Sequence, residues 1–389
     1  MSNALNDKVM NEYLHLYHGA PMMLVIAPGR INLIGEHTDY SDGFVLPVAI
    51  NLGIVIAMTP REDHWIKLYS MDLNEHITID LRDLAKGNEG WQEYIKGVAW
   101  VLREKGHDLK GWQGVIAGSI PIGAGLSSSA AVLVAAGKAF SISSDLSLSA
   151  TTLAQVGKMA ESEWVGVNVG IMDQLVSAAG KSDHAVCLDC RTLDYEYVPI
   201  PEKVSFVVLD TMTRRELSHS AYNTRHEEVK AASKIMGVHN LRDADLSTLN
   251  EKKSSLSDTL YRRARHVISE NERVLTFSSA MKDGDLQKMG ALINASHASL
   301  RDDFEVSSKE LNLIVEIAQN QPTCLGARMT GAGFGGCALA LIENANVENF
   351  IKHVTGAYLA ETNIRPHIFK VESEDGVHVC NISEENTGR

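Results

Sequence analysis

The chain has 389 residues, 22% charged and 44% hydrophobic, which is ordinary soluble-globular usage at a length that suits two domains. Lys and Arg total 36 against 49 Asp and Glu, and the resulting net charge of -13 disfavours nucleic acid or an anionic membrane as a partner. The five cysteines are too few and scattered for a disulfide scaffold. Cys187 and Cys190 make one C-x-x-C with no second pair to complete a zinc site, so buried thiols are expected there. The first residues, MSNALNDKVMNEYLHLYHG, have no apolar signal core, and no stretch has the apolar length of a membrane span. A cytoplasmic setting is expected.

In chain order, the first part reads mostly as strands. Short β-branched runs at 24–27, 44–50, 53–59, 66–71 and 76–79 are separated by Pro, Gly, Asp or Asn. Helical spacing of Trp91, Tyr94, Ile95, Val98, Val101 and Leu102 predicts a helix over 91–105. A strand at 114–120 then ends in Pro121, and the small, apolar run 127–140 predicts a helix buried on most sides. Helices are expected near 153–165 and 171–179, with a strand at 185–188 between them and the second half. That half opens with a strand at 204–209. Helices follow at 221–235, 258–282, 286–298 and 309–319, then strands at 326–330, 337–341 and 368–371 with a helix at 347–362. Strands first and helices later predicts an α+β fold, divided near residue 200 into units 1–200 and 201–389.

Three glycine-bearing motifs carry the chemistry. The first, PGRINLIGEHTDY from Pro28 to Tyr40, crowds Arg30, Asn32, Glu36, His37, Thr38 and Asp39 into a dozen positions. Pro28-Gly29 and Gly35 predict a break in regular structure around them. Carboxylates accept from hydroxyls while His and Arg donate, so this density suits a hydroxyl-rich ligand. The second, PIGAGLSSSA from Pro121 to Ala130, joins a predicted strand to a predicted helix. Gly123 and Gly125 permit a tight turn with exposed N–H groups, and Ser127, Ser128 and Ser129 fall at the helix N-terminus, a phosphate cradle without the Gly-Lys-Ser/Thr of a P-loop. The third, MTGAGFGGC from Met329 to Cys337, matches G-x-G-x-x-G, but a strand follows it, so the dinucleotide reading fails on context.

In order and wording these motifs resemble the GHMP kinases, and GRINLIGEHTDYSDGFVLPVAI, GIMDQ and AYNTR resemble the galactokinases among them. The resemblance runs from about Ala27 to Cys337, with one departure, Ala332 in place of a third consecutive glycine. It implies the two-domain GHMP kinase fold, with a mixed-sheet N-terminal domain, an α+β C-terminal domain and the active site between them. It further implies transfer of the γ-phosphate of ATP to the anomeric hydroxyl of D-galactose, with Mg²⁺ as cofactor and MgATP as co-substrate. Asp173 would be the base, with Arg30 close to it stabilising charge on the transferring group. Glu36, His37, Thr38, Asp39, Gly170 and Tyr222 would select the sugar. Gly123, Ala124, Gly125, Leu126, Ser127, Ser128 and Ser129 would cradle ATP, with Ser70 touching the nucleotide, and Ser129 and Glu161 would hold the metal. Two alternatives stay open: a GHMP kinase for another sugar such as N-acetylgalactosamine, and a catalytically silent galactose and ATP sensor.

Overall fold

A computed structural model describes residues 3–87, 90–121, 123–214 and 218–382. Ile122, inside the second motif, lies outside the described residues. The element order is α1 (Asn3–Tyr17), β1 (Met23–Asn32), β2 (Phe44–Val45), β3 (Pro47–Pro60), β4 (Trp65–Ser70), β5 (Glu75–Asp80), α2 (Gln92–Glu104) and β6 (Trp112–Gly118). Next come α3 (Ser128–Ser143), α4 (Ala150–Met159), α5 (Met172–Ala179), β7 (His184–Asp189), β8 (Tyr195–Pro199) and β9 (Val204–Asp210). The rest is α6 (Ser218–Met236), α7 (Leu246–Glu251), α8 (Asp258–Asp283), α9 (Leu286–Asp302), α10 (Lys309–Gln319), β10 (Cys324–Met329), β11 (Cys337–Glu343), α11 (Val347–Thr362), β12 (His367–Val371) and β13 (His378–Asn381).

The strands form a six-stranded sheet in the order β13-β1-β3-β6-β4-β5, a four-stranded sheet β10-β11-β9-β12 and a small sheet β2-β7-β8. The first is mixed, because β4 runs parallel to β6 while its other neighbours are antiparallel. Its central strands are covered on both faces. Val25 and Ala27 of β1 belong to the main core, while Leu24 and Ile26 point the other way into a cluster with Val9 and Tyr13 of α1. That alternation is the period of two that a strand imposes on successive side chains. α3 lies against β1 and β3 and buries Ala130, Ala131 and Leu133, as its small, apolar composition predicts. The antiparallel β10-β11-β9-β12 sheet packs a second core against α6, α8, α10 and α11.

The sequence reading misses α1, α7, β8 and β13. β13 is the last element among the described residues and pairs antiparallel with β1, so this segment returns to the first sheet. One further expectation is corrected. Pro28-Gly29 does not end regular structure: β1 runs through to Asn32 and absorbs the pair as a register shift. A Cβ on Gly29 would lie 2.6 Å from the Leu126 carbonyl oxygen, so glycine lets the second motif approach the strand. Among the described residues no helix is long and apolar enough to cross a membrane. Cys187 and Cys190 are free and buried, and burial pushes both thiols up.

Candidate active site

All three glycine-bearing motifs meet at one cavity of about 510 Å³. The second motif supplies one wall. Gly123 and Gly125 take positive φ (+70° and +76°), and the turn ends at the first residue of α3, so this sixteen-residue helix directs its N-terminus at the cavity. The N-terminus of a helix, with orphan N–H donors and the positive end of the helix dipole, has the character of an anion site. Arg214, which the sequence reading did not single out, lies beside it. A Cβ on Gly123 would sit 3.1 Å from the Arg214 Nε, and Asp210 holds the guanidinium with two bonds of 2.7 Å.

Arg30 and Asp173 stand at the junction of this wall with β1 and α5. Arg30 Nε donates to Asp173 Oδ1 and Nη2 to Oδ2, each at 2.8 Å. The same guanidinium donates from Nη1 to the Gly125 carbonyl at 2.6 Å, and the Arg30 backbone N–H donates to the Leu126 carbonyl at 3.1 Å. Ser127 Oγ also donates to Asp173 Oδ2. The pair therefore fixes the phosphate loop, the strand and the helix to one another.

Glu161 lies in a π-helical segment, Ala160–Val165, that continues α4, where a plain helix over 153–165 is expected. Such insertions recur at functional positions because they re-aim side chains. Its carboxylate is buried, hydrogen-bonded to Ser129, and accepts from Gln174 Nε2 at 2.7 Å. Burial pushes its pKa up to about 7, with Asp173 adding repulsion, and no Lys or Arg among the described residues pairs with it. A buried carboxylate beside a hydroxyl, with a second carboxylate nearby and no cation, fits a metal ion. Among the described residues no cluster of three or more His, Cys, Asp or Glu could hold a metal. Mg²⁺ does not need one, since it commonly takes one or two carboxylates and completes its shell with water and substrate phosphate.

The first motif forms the opposite end. Glu36 and His37 are clasped to the third motif. Glu36 Oε1 accepts from Gly331 N at 2.7 Å and Thr330 Oγ1 at 3.0 Å, and lies 2.6 Å from Arg328 Nη2. Oε2 makes no hydrogen bond to protein among the described residues. Arg328 is wholly buried and also lies 3.9 Å from Glu270. Burial works against the charge of Glu270, but Arg273, His266 and Arg328 outweigh it and hold its pKa down to about 2. This buried charge network behind the sugar motif has no counterpart in the sequence reading.

Both ring nitrogens of His37 are occupied. Nε2 lies 3.1 Å from the Ala332 carbonyl and Nδ1 lies 3.0 Å from the Tyr40 hydroxyl. Burial, with His266 nearby, holds its pKa down to about 3, so the ring is neutral, donates to Ala332 and accepts from Tyr40. Its ring packs against Tyr222 and Phe304 at centroid distances of 5.4 and 4.9 Å. Thr38 faces inward, donating to the Gly35 and Phe44 carbonyls at 2.9 and 2.7 Å, and is not on the cavity wall. Ser70 is also off the wall. It is buried at the end of β4, where its Oγ accepts from Leu73 N at 3.4 Å.

Asp39, Gly170 and Tyr222 are on the wall. A Cβ on Gly170 would fall inside the Asp39 carboxylate, so glycine there makes room for that group. Burial pushes the Asp39 pKa up to about 7, and Asp173 and Glu36 add repulsion. In the third motif Gly331, Gly333, Gly335 and Gly336 all take positive φ but Ala332 does not. Ala332 is also exposed, so its methyl group costs the loop no strain.

Sequence comparison matches residues 11–60 to the galactokinase galactose-binding signature, 93–181 to the GHMP kinases N terminal domain and 277–359 to the GHMP kinases C terminal domain. The mevalonate kinase structure, at 19% identity and a TM-score of 0.65 over 90% of this chain and 99% of that one, shares the fold. A glycine-bearing loop at a helix start, a paired aspartate and these matched domains define a GHMP kinase. At family level the similarity is much stronger. The galactokinase of Roseiflexus sp. (strain RS-1) is 43% identical over 96% of this chain and 97% of its own. That of Actinobacillus succinogenes is 38% identical over 94% of this chain and 96% of its own. Lactococcus lactis galactokinase, solved with galactose, superimposes with a TM-score of 0.92 at 36% identity, covering 97% of this chain and 100% of that one. The chain belongs to the galactokinase family.

Proposed function

We propose that the chain transfers the γ-phosphate of ATP to the anomeric hydroxyl of D-galactose, giving galactose 1-phosphate and ADP. The observation that carries this reading is the Arg30–Asp173 pair. It stands in one cavity wall between a phosphate loop and a cluster of sugar-type acceptors.

Asp39, Glu36 and Tyr222 hold the sugar hydroxyls at one end, the two carboxylates as acceptors. Glu36 offers Oε2, because Oε1 is engaged. His37 and Thr38 act by fixing the loop rather than by touching the sugar, since their polar side-chain atoms bond to protein. At the other end Gly123–Ser129 and Arg214 surround the phosphates. Ser70 is left out of the nucleotide site. Asp173 accepts the proton of the anomeric hydroxyl as that oxygen bonds to the γ-phosphorus, and the bond from phosphorus to the departing ADP oxygen breaks. Arg30 orients Asp173 and places positive charge beside the transferring group. Ser129 and Glu161 would hold Mg²⁺, which when bound neutralises charge on the phosphates. The division into units 1–200 and 201–389 belongs to the same reading, and residue 200 falls between the segments matched to the N terminal and C terminal domains.

The test is ADP release with MgATP in the presence of galactose, N-acetylgalactosamine, glucose or no sugar. Release with galactose well above the other three is expected. Preference for N-acetylgalactosamine identifies a different sugar kinase, and binding of both substrates without ADP release identifies a sensor.

A further inference from the structure

Ser127 stands in the left-handed conformation, φ +64° and ψ +47°, at the N-cap of α3. A residue with a Cβ is uncommon there, and such strain persists where the surroundings enforce it, often at functional sites. Capping does not explain it, since the Ser127 side chain makes no cap hydrogen bond to α3. Its hydroxyl instead donates to Asp173 Oδ2. The two preceding residues are tied to the same place, the Gly125 carbonyl to Arg30 Nη1 and the Leu126 carbonyl to Arg30 N. Three consecutive loop residues thus close on the Arg30–Asp173 pair.

A carboxylate has about four lone-pair positions, two per oxygen. Oδ2 of Asp173 accepts from both Arg30 Nη2 and Ser127 Oγ, while Oδ1 accepts from Arg30 Nε alone. Asp173 lines the cavity. We infer that Ser127 is a positioning residue whose hydroxyl fills Oδ2, so that Oδ1 is the oxygen that takes the proton of the sugar hydroxyl. This inference rests on the reading of Asp173 as the base. It gives the Ser127 side chain to the base and leaves its backbone N–H for phosphate. As the proton moves to Oδ1, the hydroxyl oxygen bonds to the γ-phosphorus and the electrons of the breaking phosphorus–oxygen bond leave with ADP.

The experiment is steady-state kinetics on Ser127→Gly, Ser127→Ala, Asp173→Asn and the Ser127→Gly/Asp173→Asn double variant, with melting temperatures. Glycine adopts φ +64° freely, so Ser127→Gly should melt no lower than the wild-type protein, and its loss of rate is then not a loss of fold. Both Ser127 variants should lose kcat by about tenfold, the scale of one charge-assisted hydrogen bond, with KM for ATP and galactose changed by less than about twofold. In the Asp173→Asn background the added loss should be below about twofold, because the group that Ser127 positions is already gone. Wild-type kcat in Ser127→Gly, or a large rise in KM for ATP at unchanged kcat, overturns the inference, the latter by making the hydroxyl a phosphate contact. Full turnover by Asp173→Asn sinks the reading beneath it. A slow Asp173→Asn with a full-rate Ser127→Gly sinks the present inference alone.

Discussion

Arg30 and Asp173, 143 residues apart in the chain, face each other through two parallel hydrogen bonds of 2.8 Å. Arg30 is almost completely buried, whereas the Asp173 side chain keeps 29% of its surface exposed. The arginine is thus a fixed part of the wall, and the carboxylate is the member of the pair that a substrate can reach. Only a planar guanidinium can grip both carboxylate oxygens and still reach the Gly125 carbonyl.

Arg30→Lys should therefore cost activity although the charge survives. A lysine cannot reproduce the two-point grip, and a hydrogen bond to a charged group is worth about 1.5–3 kcal/mol. The expected fall in kcat is roughly ten- to a hundredfold, with a smaller change in galactose affinity. Steady-state kinetics checks it, and near-normal kcat would reduce Arg30 to a loop anchor.

Galactose affinity should depend on pH through Asp39. Its pKa is pushed up to about 7 by burial and by Asp173 and Glu36, against the Tyr40 backbone N–H and Lys158. Tyr40, Tyr222 and Cys190 are further titratable groups coupled to it, and burial pushes all three of their pKa values well above the usual range. Sugar hydroxyls donate to the ionised form, so binding expels a proton wherever Asp39 is protonated. Affinity should fall as pH drops through about 7, approaching tenfold per unit below it. Calorimetry in buffers of different ionisation enthalpy should detect proton release near neutrality. In Asp39→Asn the pH dependence should vanish and affinity should be roughly ten- to a hundredfold weaker. A flat wild-type affinity from about pH 6 to about pH 8 contradicts this assignment.

Glu161→Gln should separate the metal from the sugar. The amide keeps the volume and can still bond to its neighbours, but it removes the buried charge that a divalent cation would neutralise. The Mg²⁺ concentration for half-maximal rate should rise by about tenfold or more, while KM for galactose moves by less than about twofold. Without nucleotide the variant should melt no lower than wild type, because an unpaired buried carboxylate has been removed. Unchanged Mg²⁺ dependence removes Glu161 from the metal site.

What could be read from the sequence follows physical lines. Gly123, Gly125 and the serines after them announce a strand-loop-helix turn because glycine and helix-capping residues report backbone conformation directly. Glu36 and Asp39, which stand out because acids crowd a segment flanked by apolar strands, both line the cavity. The polar side-chain atoms of His37, Thr38 and Ser70 are bonded within the protein, although His37 also lines the cavity. A sequence shows that a polar atom exists but not which partner reaches it first. Arg328 and Glu270 escape for the converse reason. Arg328 is the single charge of a strand that otherwise reads as core, Glu270 is one of many charges on a helix that reads as a solvated face, and they become a network only when β10 and α8 come together behind Glu36.

The most direct test of the account is Asp173→Asn, assayed for ADP release with galactose and for galactose binding by calorimetry. The substitution preserves the volume and removes the proton acceptor and half of the pair with Arg30. The account predicts that turnover falls by at least about a hundredfold, a general-base loss, while galactose still binds within a few-fold of wild type. Turnover near the wild-type rate, or loss of galactose binding in step with loss of rate, would contradict it.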